Sequence, residues 1–205
     1  MRNIFGVYII LLLWLPFGMK AQTTQIPYKV LLQTPVKELT FEQIKTTMLR
    51  RLNEMRDEET RLHPTRKLKP LKYSESLERA AFFFMDHKTK WFNENGGFDT
   101  YCHFDDDNNG VLDRFQLLNI KYAIVSDTAR HVMDGKVIYT NWKACGGENV
   151  VTANTSVYKM CDGWKNSPRH WVHIINRHYT HIGIAYRKEH PVLICDFIKF
   201  EISKK

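Results

Sequence analysis

The sequence predicts an α+β domain in which helices pack on an antiparallel sheet. Amphipathic helical patterns fill the first half of the chain, and two strand-like segments close it. The 205 residues are 43% hydrophobic and 13% aromatic, which is typical of a globular protein rather than a disordered one. No repeat or low-complexity segment divides the chain, so we expect one domain.

The first 21 residues have the pattern of a signal peptide. Arg2 precedes an uncharged apolar run over residues 7–17, and Ala21 is the expected cleavage site. The run is shorter than the roughly 20 residues that span a bilayer as a helix. An uncleaved membrane anchor is the alternative. We therefore expect a secreted or cell-envelope protein with no transmembrane segment after signal removal.

The mature chain is basic, but nothing in it indicates nucleic-acid binding. Signal removal takes away Arg2 and Lys20 and no acidic residue, so the net charge falls from +8 to +6. Such a surplus favours anionic partners such as lipid head groups or acidic glycans, or is simply a solvated basic face. Because no RNA-binding motif or zinc-finger spacing occurs, we expect no nucleic-acid partner.

An even number of cysteines in an exported chain favours disulfide bonds. Cys102, Cys145, Cys161 and Cys195 allow three connectivities. Free buried thiols are the alternative, because a domain of this length does not need cross-links to fold. The absence of Cys-x-x-Cys disfavours a dithiol redox motif and a cysteine-rich zinc site.

Residues 22–39 are predicted to be a polar lead-in, and a long helix follows them. Thr40 is the expected N-cap, and Gln43 stands in the capping-box position. Apolar residues then recur at steps of three or four until Pro64 ends the pattern.

A second helix, capped by Ser74 or Ser76, is predicted to bury one apolar stripe. A loop over residues 93–113 and a short helix from Arg114 to Tyr122 come next. The stripe consists of Leu77, Ala80, Ala81, Phe84 and Met85.

The last third of the chain mixes helices and strands. Lys136 to Thr140 is a candidate strand, Asn154 caps a helix through Trp164, and His170 to Ile175 forms a helical turn. Tyr179 to Arg187 and Val192 to Ile202 are spaced as an antiparallel hairpin.

Three motifs, taken in order, carry a resemblance to a known family. They are His103 followed by Asn109-Gly110 and Asp113-Arg114, then Gly147-Glu148-Asn149, then Trp164-x-Asn166-Ser167-Pro168-x-His170. In this order and at these separations they resemble the CAP superfamily (cysteine-rich secretory proteins, antigen 5 and pathogenesis-related 1 proteins), especially its bacterial SCP-like extracellular branch. The resemblance covers about residues 40–202, so residues 40–205 are interpreted as the CAP domain.

The resemblance implies the CAP fold, a three-layer α/β/α sandwich with a central antiparallel sheet and a cleft on one side. The cleft of this family holds two histidines and one or two glutamates, and several members bind a divalent metal there. These positions carry over to His103, His170 and Glu148. The second glutamate of eukaryotic members corresponds to Ser167, so the resemblance implies a three-residue site.

The chemistry of this trio allows three interpretations. His103 and His170 can supply neutral nitrogen ligands to Zn²⁺, with Glu148 as third ligand or as a base on bound water. Without metal, the trio can relay protons near neutral pH. Alternatively, it is a structural hydrogen-bond network. Three nearby histidines are interpreted as ordinary side chains: His173, His178 and His181.

A calcium-binding loop is the competing metal hypothesis. Residues 105–116 match the EF-hand pattern, with Gly110 at its sixth position. Gln116 stands where a bidentate Glu is normal, and flanking helices are not evident, so Ca²⁺ is a weaker expectation than Zn²⁺. A solvated acidic turn is the alternative. The loop ligands would be Asp105, Asp107, Asn109, Asp113 and Gln116.

Three classes of function follow from these observations. The first is an exported CAP domain that is not a conventional enzyme and binds a metal and a lipid, glycan or protein ligand in its cleft. The second is a peptidase or esterase in which His103, Glu148 and His170 are catalytic, although no Gly-x-Ser-x-Gly or His-Glu-x-x-His motif occurs. The third is a surface interaction module with structural histidines. Among the three connectivities, a bridge between Cys102 and Cys145 would tie the His103 loop to the Glu148 loop.

Overall fold

The computed structural model describes residues 26–88, 90, 103–123, 126–133, 136–143, 146–189 and 191–200. The expected signal peptide and the candidate bridge between Cys102 and Cys145 lie outside these residues. None of the helices in the described part of the chain is both long and apolar enough to cross a membrane.

The long helix predicted after Thr40 is confirmed. Helix α2 spans Phe41–Leu62. Thr40 Oγ1 accepts a hydrogen bond from the Gln43 amide at 3.2 Å, and Gln43 Oε1 accepts one from the Thr40 amide at 2.9 Å. This reciprocal capping box satisfies two amides that have no partner within the helix.

The lead-in contains two short helical elements that the sequence did not predict. It contains helix α1, Tyr28–Gln33, and a 3₁₀ turn, Val36–Glu38. Each element is at most six residues long, too short to show a helical period in the sequence. Val36 is buried in the core, which ties this segment to the domain.

Helices α3 and α4 lie on one side of the molecule. Helix α3 spans Glu75–His87, and Ser74 caps it, as one of the two predicted alternatives. Helix α4 spans Val111–Leu117 and begins three residues before the predicted start. It begins earlier because Asp113 Oδ2 accepts a hydrogen bond from the Gly110 amide at 2.9 Å and stabilises the first turn.

Helices α5 and α6 follow the strand that carries Glu148. Helix α5 spans Val157–Lys165 and is capped by Ser156 rather than by the predicted Asn154, since the Lys159 amide donates to Ser156 Oγ. Helix α6 spans Pro168–Ile174, with Pro168 at its first turn, where a missing amide costs no hydrogen bond.

Four strands form the main sheet in the order β1-β5-β6-β4. Neighbouring strands are antiparallel except that β1 runs parallel to β5. The predicted hairpin is confirmed as β5 and β6. The strands are β1, Lys72–Tyr73; β4, Gly146–Thr152; β5, His181–Arg187; and β6, Val192–Ile198.

A two-stranded antiparallel sheet precedes β4 in the chain. It consists of β2, Ser126–Met133, and β3, Lys136–Lys143. The candidate strand at residues 136–140 is therefore confirmed, and it extends to Lys143.

The sheet separates two helical layers, as the α/β/α expectation requires. On one face, Val150, Ala185 and Ile194 pack against α3. On the other, Ile184, Cys195 and Phe197 belong to the core that α2, α5 and α6 cover. Because side chains alternate along a strand, residues 148 and 196 lie on the α3 side and residue 149 lies on the α6 side.

Helix α3 approaches the sheet closely at one glycine. A Cβ on Gly183 would lie 2.1 Å from the Leu77 carbonyl carbon and 2.2 Å from the Glu78 nitrogen. Only a residue without a side chain leaves room for the helix backbone there. Gly183 pairs with Asp196, and Asp196 pairs with Glu148. The close contact at Gly183 therefore also sets the distance between α3 and the strands that carry Asp196 and Glu148.

The prediction that all four cysteines form disulfides is wrong for two of them. Cys161 and Cys195 are free thiols in the core. Cys161 contacts Met48, with its Sγ 3.3 Å from the Met48 Sδ. Burial raises the pKa of the Cys161 thiol to about 12, so it packs as a small neutral apolar group.

Candidate functional site

Two of the predicted site residues form a hydrogen bond. Glu148 lies in β4 with its side chain 2% exposed, and His103 lies in the turn before α4 with its side chain 42% exposed. His103 Nδ1 is 2.9 Å from Glu148 Oε1. Since an ionised carboxylate can only accept, His103 donates from Nδ1, and its Nε2 is the nitrogen for any ligand.

The second oxygen of Glu148 is bound by a buried cation. The side chain of Arg114, on α4, is 0% exposed and donates to Glu148 Oε2 at 2.5 Å. Its Nη1 donates to the carbonyls of His103 at 3.1 Å and Asn109 at 2.8 Å. Arg114 therefore holds the His103 loop and the Glu148 carboxylate together. From the sequence, Arg114 was identified only as part of a motif, and the burial of its charge was not predicted.

His170 lies on α6, which packs on the face of the sheet opposite α3. Its Nδ1 is 2.9 Å from Ser167 Oγ, and its backbone carbonyl accepts a hydrogen bond from Asn149 Nδ2 at 3.2 Å. Ser167, which replaces a glutamate of eukaryotic relatives, thus contacts this histidine directly. Burial lowers the pKa of His170, and the charges of His103 and Arg169 lower it further. The ring is therefore neutral at physiological pH.

A third histidine lies in the same region. The charges of His103 and His170 both act on His173, and burial is the main cause that lowers its pKa to about 4. The ring stacks with Tyr179 at 6.2 Å and Phe197 at 6.4 Å between centroids. The aromatic contacts of this ring are those of a packed core side chain.

Residue 147 must be glycine for this arrangement. A Cβ on Gly147 would lie 2.3 Å from His173 Nδ1 and 2.7 Å from the Tyr179 hydroxyl. The glycine that precedes Glu148 therefore lets β4 lie directly against the aromatic group, which explains its place in the Gly-Glu-Asn motif.

The geometry assigns different chemistry to the members of the trio. The Glu148 side chain is 2% exposed, and its two oxygens accept hydrogen bonds from His103 and Arg114, which favours a role in holding His103 over a role as metal ligand. Both histidines engage Nδ1, so a metal ion would bind through Nε2 of each ring. Across the described ranges, no group of three or more His, Cys, Asp or Glu side chains is arranged to hold a metal.

An acidic residue that the sequence did not single out lies beside Glu148. Asp196 faces Glu148 across β6 and β4 and is 0% exposed. Neither of its oxygens has a hydrogen-bond partner among the described residues. Burial raises the pKa of Asp196 well above its ordinary value, and the negative charge of Glu148 raises it further against the opposing effect of Arg114. The sequence signal that could have identified Asp196 is its position as the acidic residue inside the otherwise apolar strand Val192–Ile198.

Two carboxylates of the calcium-loop hypothesis, Asp105 and Asp113, accept hydrogen bonds from nearby backbone amides. Asp105 Oδ1 accepts from the amides of Asp107 at 3.1 Å and Asn109 at 2.8 Å, and Asp113 caps α4. Gln116 donates to the Tyr122 hydroxyl. Asp105 thus stabilises the turn and Asp113 caps α4, and among the described residues no three His, Cys, Asp or Glu side chains are arranged to hold a metal ion.

Two cavities lined by described residues lie away from the histidines. One, of about 230 Å³, lies between Thr40, Phe41 and Tyr186. The other, of about 370 Å³, lies between Tyr28 and Arg50. Neither contains a residue of the predicted site.

Several solved structures have a similar fold. They include an extracellular protein containing an SCP domain from Bacillus anthracis (TM-score 0.50, 16% identity, covering 78% of this chain and 44% of that one). A cysteine-rich secretory protein from Staphylococcus aureus gives TM-score 0.51 and 18% identity over 78% of this chain and 40% of its own. An outer surface protein from Borrelia burgdorferi gives TM-score 0.52 and 14% identity, and the match covers 80% of this chain and 97% of that one.

The chain spans less than half the length of the first two of these proteins. No curated protein matches the sequence significantly. The family model of CAP, the cysteine-rich secretory protein family, matches residues 49–197, which is well over half of the chain and includes His103, Glu148 and His170. The chain therefore belongs to the CAP family.

Proposed function

We propose that this protein works outside the cytoplasm as a non-enzymatic CAP domain that binds a divalent metal ion, Zn²⁺ as the first candidate, through His103 and His170. The observation that carries the proposal is the hydrogen bond from His103 Nδ1 to Glu148. Metal-ligating histidines typically donate their second ring nitrogen to a carboxylate, which fixes the tautomer and the ring orientation.

The extracytoplasmic location is supported by two observations. The first 21 residues have a signal-peptide pattern. Two proteins with a similar fold are described as an extracellular protein and an outer surface protein.

The electrostatics support metal binding by the His170 imidazole at neutral pH. Burial lowers the pKa of His170, so this ring needs no deprotonation before it binds a cation. Bound Zn²⁺ would supply a Lewis acid in the cleft. With two protein ligands the remaining positions fall to water or to a ligand, so we expect weaker and more exchangeable binding than at a three-ligand site.

The geometry gives less support to a hydrolase. A general base must be within reach of the water that it deprotonates, but the Glu148 side chain is 2% exposed and its carboxylate is paired with the buried Arg114. We therefore assign Glu148 the role of orienting His103. For the cleft ligand we propose a lipid or glycan, and the net charge of +6 on the mature chain supports an anionic one.

The test is calorimetric titration of metal-free mature protein with Zn²⁺, with a parallel run in Ca²⁺. We expect near-stoichiometric Zn²⁺ binding that disappears in the double variant His103→Ala, His170→Ala. The matched control is His178→Ala, His181→Ala, which also removes two histidines but should bind as wild type does. Absence of binding to the wild type, or equal binding by both double variants, would overturn the proposal.

A further inference from the structure

Among the described residues, none donates a hydrogen bond to the Asp196 carboxyl group. Its neighbours across the sheet are Glu148 on β4 and Gly183 on β5, and cross-strand partners in register share one face. Gly183 has no side chain. Glu148 is therefore the only polar side chain that Asp196 faces within this row of three strands.

The local charges do not accommodate a second anion. Arg114 is the buried cation of this cluster, and it already donates to Glu148. A second ionised carboxylate that is 0% exposed and accepts no hydrogen bond from the described residues would be strongly disfavoured. As a neutral acid, Asp196 instead carries a proton to donate, and each Glu148 oxygen has a second lone pair to accept it. Burial and the Glu148 charge raise the pKa of Asp196, in agreement with this.

We propose that Asp196 is a positioning residue of the cleft, which donates a hydrogen bond from its neutral carboxyl group to Glu148 and so holds the Glu148 carboxylate toward His103. Three donors on three elements then fix one carboxylate: His103 before α4, Arg114 on α4 and Asp196 on β6. The inference deepens the proposed metal site, but its test uses metal-free protein and can therefore fail separately.

The experiment measures the tautomer of His103 by ¹⁵N NMR of its ring nitrogens, at a pH where the imidazole is neutral. In the wild type we expect the proton on Nδ1. Asp196→Asn keeps a donor toward Glu148 and should preserve this tautomer, whereas Asp196→Leu removes the donor and should give a mixture. Ile194→Val, on the same strand and face, controls for altered packing and should leave the tautomer unchanged.

A double variant shows whether Asp196 acts through Glu148. In a Glu148→Gln background, Asp196→Leu should cause no further change in the His103 tautomer. An unchanged tautomer in Asp196→Leu, or equal loss in Asp196→Asn and Asp196→Leu, would contradict the proposal. If Asp196→Leu does not fold, the carboxyl ¹³C chemical shift of Asp196 in the wild type still tests whether this group is protonated. We expect the signal of a protonated acid at neutral pH, and a carboxylate signal would overturn the inference.

Discussion

His103 Nδ1 and Glu148 Oε1 lie 2.9 Å apart although 45 residues separate them in the chain. The bond joins a half-exposed ring to a buried carboxylate at the edge strand of the sheet. It therefore gives the histidine a fixed orientation in a part of the fold that solvent can reach. Arg114 donates to the same carboxylate, and Asp196 faces it across the sheet. Metal binding through His103 therefore depends on a fixed position of the Glu148 side chain.

Arg114→Met is expected to destabilise the protein by about 3–5 kcal/mol, because it leaves the buried Glu148 without its cation. Chemical denaturation checks this. The control is Arg187→Met, which breaks a pair with Asp86 whose side chains are 45% and 46% exposed. That change should cost no more than about 1 kcal/mol. Similar losses for both variants would contradict the central role of Arg114.

Arg56→Met is expected to cost about 3 kcal/mol or more. The guanidinium of Arg56 is buried and donates to the carbonyls of Lys69 at 2.7 and 2.8 Å, Ile174 at 2.6 Å and Asn176 at 3.0 Å. Each carbonyl loses a charge-assisted bond in the variant. Urea denaturation gives the loss, with the exposed Arg50→Met as control. A loss below about 1 kcal/mol would show that water replaces these bonds.

Gly183→Ala is expected to prevent normal packing of α3, because the new Cβ would lie 2.1 Å from the Leu77 carbonyl carbon. We expect a destabilisation of at least about 3 kcal/mol or loss of the folded protein. Gly163→Ala is the matched control. Gly163 lies exposed in α5, and a Cβ added there would meet no atom within 4 Å, so alanine should stabilise the helix by up to about 1 kcal/mol. Thermal unfolding of both variants decides, and a neutral Gly183→Ala would contradict the packing.

Stability should fall in mild acid because of His173. Its pKa is about 4 in the folded protein, and burial is the main cause. Between its ordinary pKa of about 6.5 and 4, the unfolded chain binds a proton that the folded protein does not, so stability decreases as pH falls through this window. The largest loss from this residue is about 3 kcal/mol.

The measurement is urea unfolding at pH 7.5 and pH 4.5 for the wild type and His173→Phe. Lowered pKa values of His170 and His181 act in the same direction, whereas the raised pKa of Asp196 acts in the opposite one. The difference between the two proteins therefore isolates His173. We expect the variant to lose less stability in acid than the wild type, and equal losses would contradict the assignment.

Local signals predicted those elements that local interactions determine. The capping box of Thr40 and Gln43 and the hairpin of β5 and β6 are confirmed because each depends on residues close in sequence. The strand β4 was missed, since Gly146-Gly147-Glu148 shows no strand pattern and is extended only because it pairs with β6.

The site shows the same limit. The motifs identified His103, Glu148 and His170 as candidates, and the family match at residues 49–197 confirms the resemblance. The separate roles of these three residues could not be predicted from the sequence, because they depend on the burial of Arg114 and on the cross-strand pairing of Asp196 with Glu148. The disulfide prediction failed at Cys161 and Cys195 because the number of cysteines does not report that each packs in the core.

The Zn²⁺ affinity of Glu148→Gln, measured beside the wild type and His103→Ala, tests the proposed site most directly. If Glu148 orients His103, the variant should still bind one Zn²⁺, with roughly 10- to 100-fold weaker affinity, while His103→Ala loses stoichiometric binding. Circular dichroism confirms that each variant is folded. If Glu148→Gln loses binding as completely as His103→Ala, then Glu148 is a ligand; if its affinity is unchanged, the carboxylate has no part in the site.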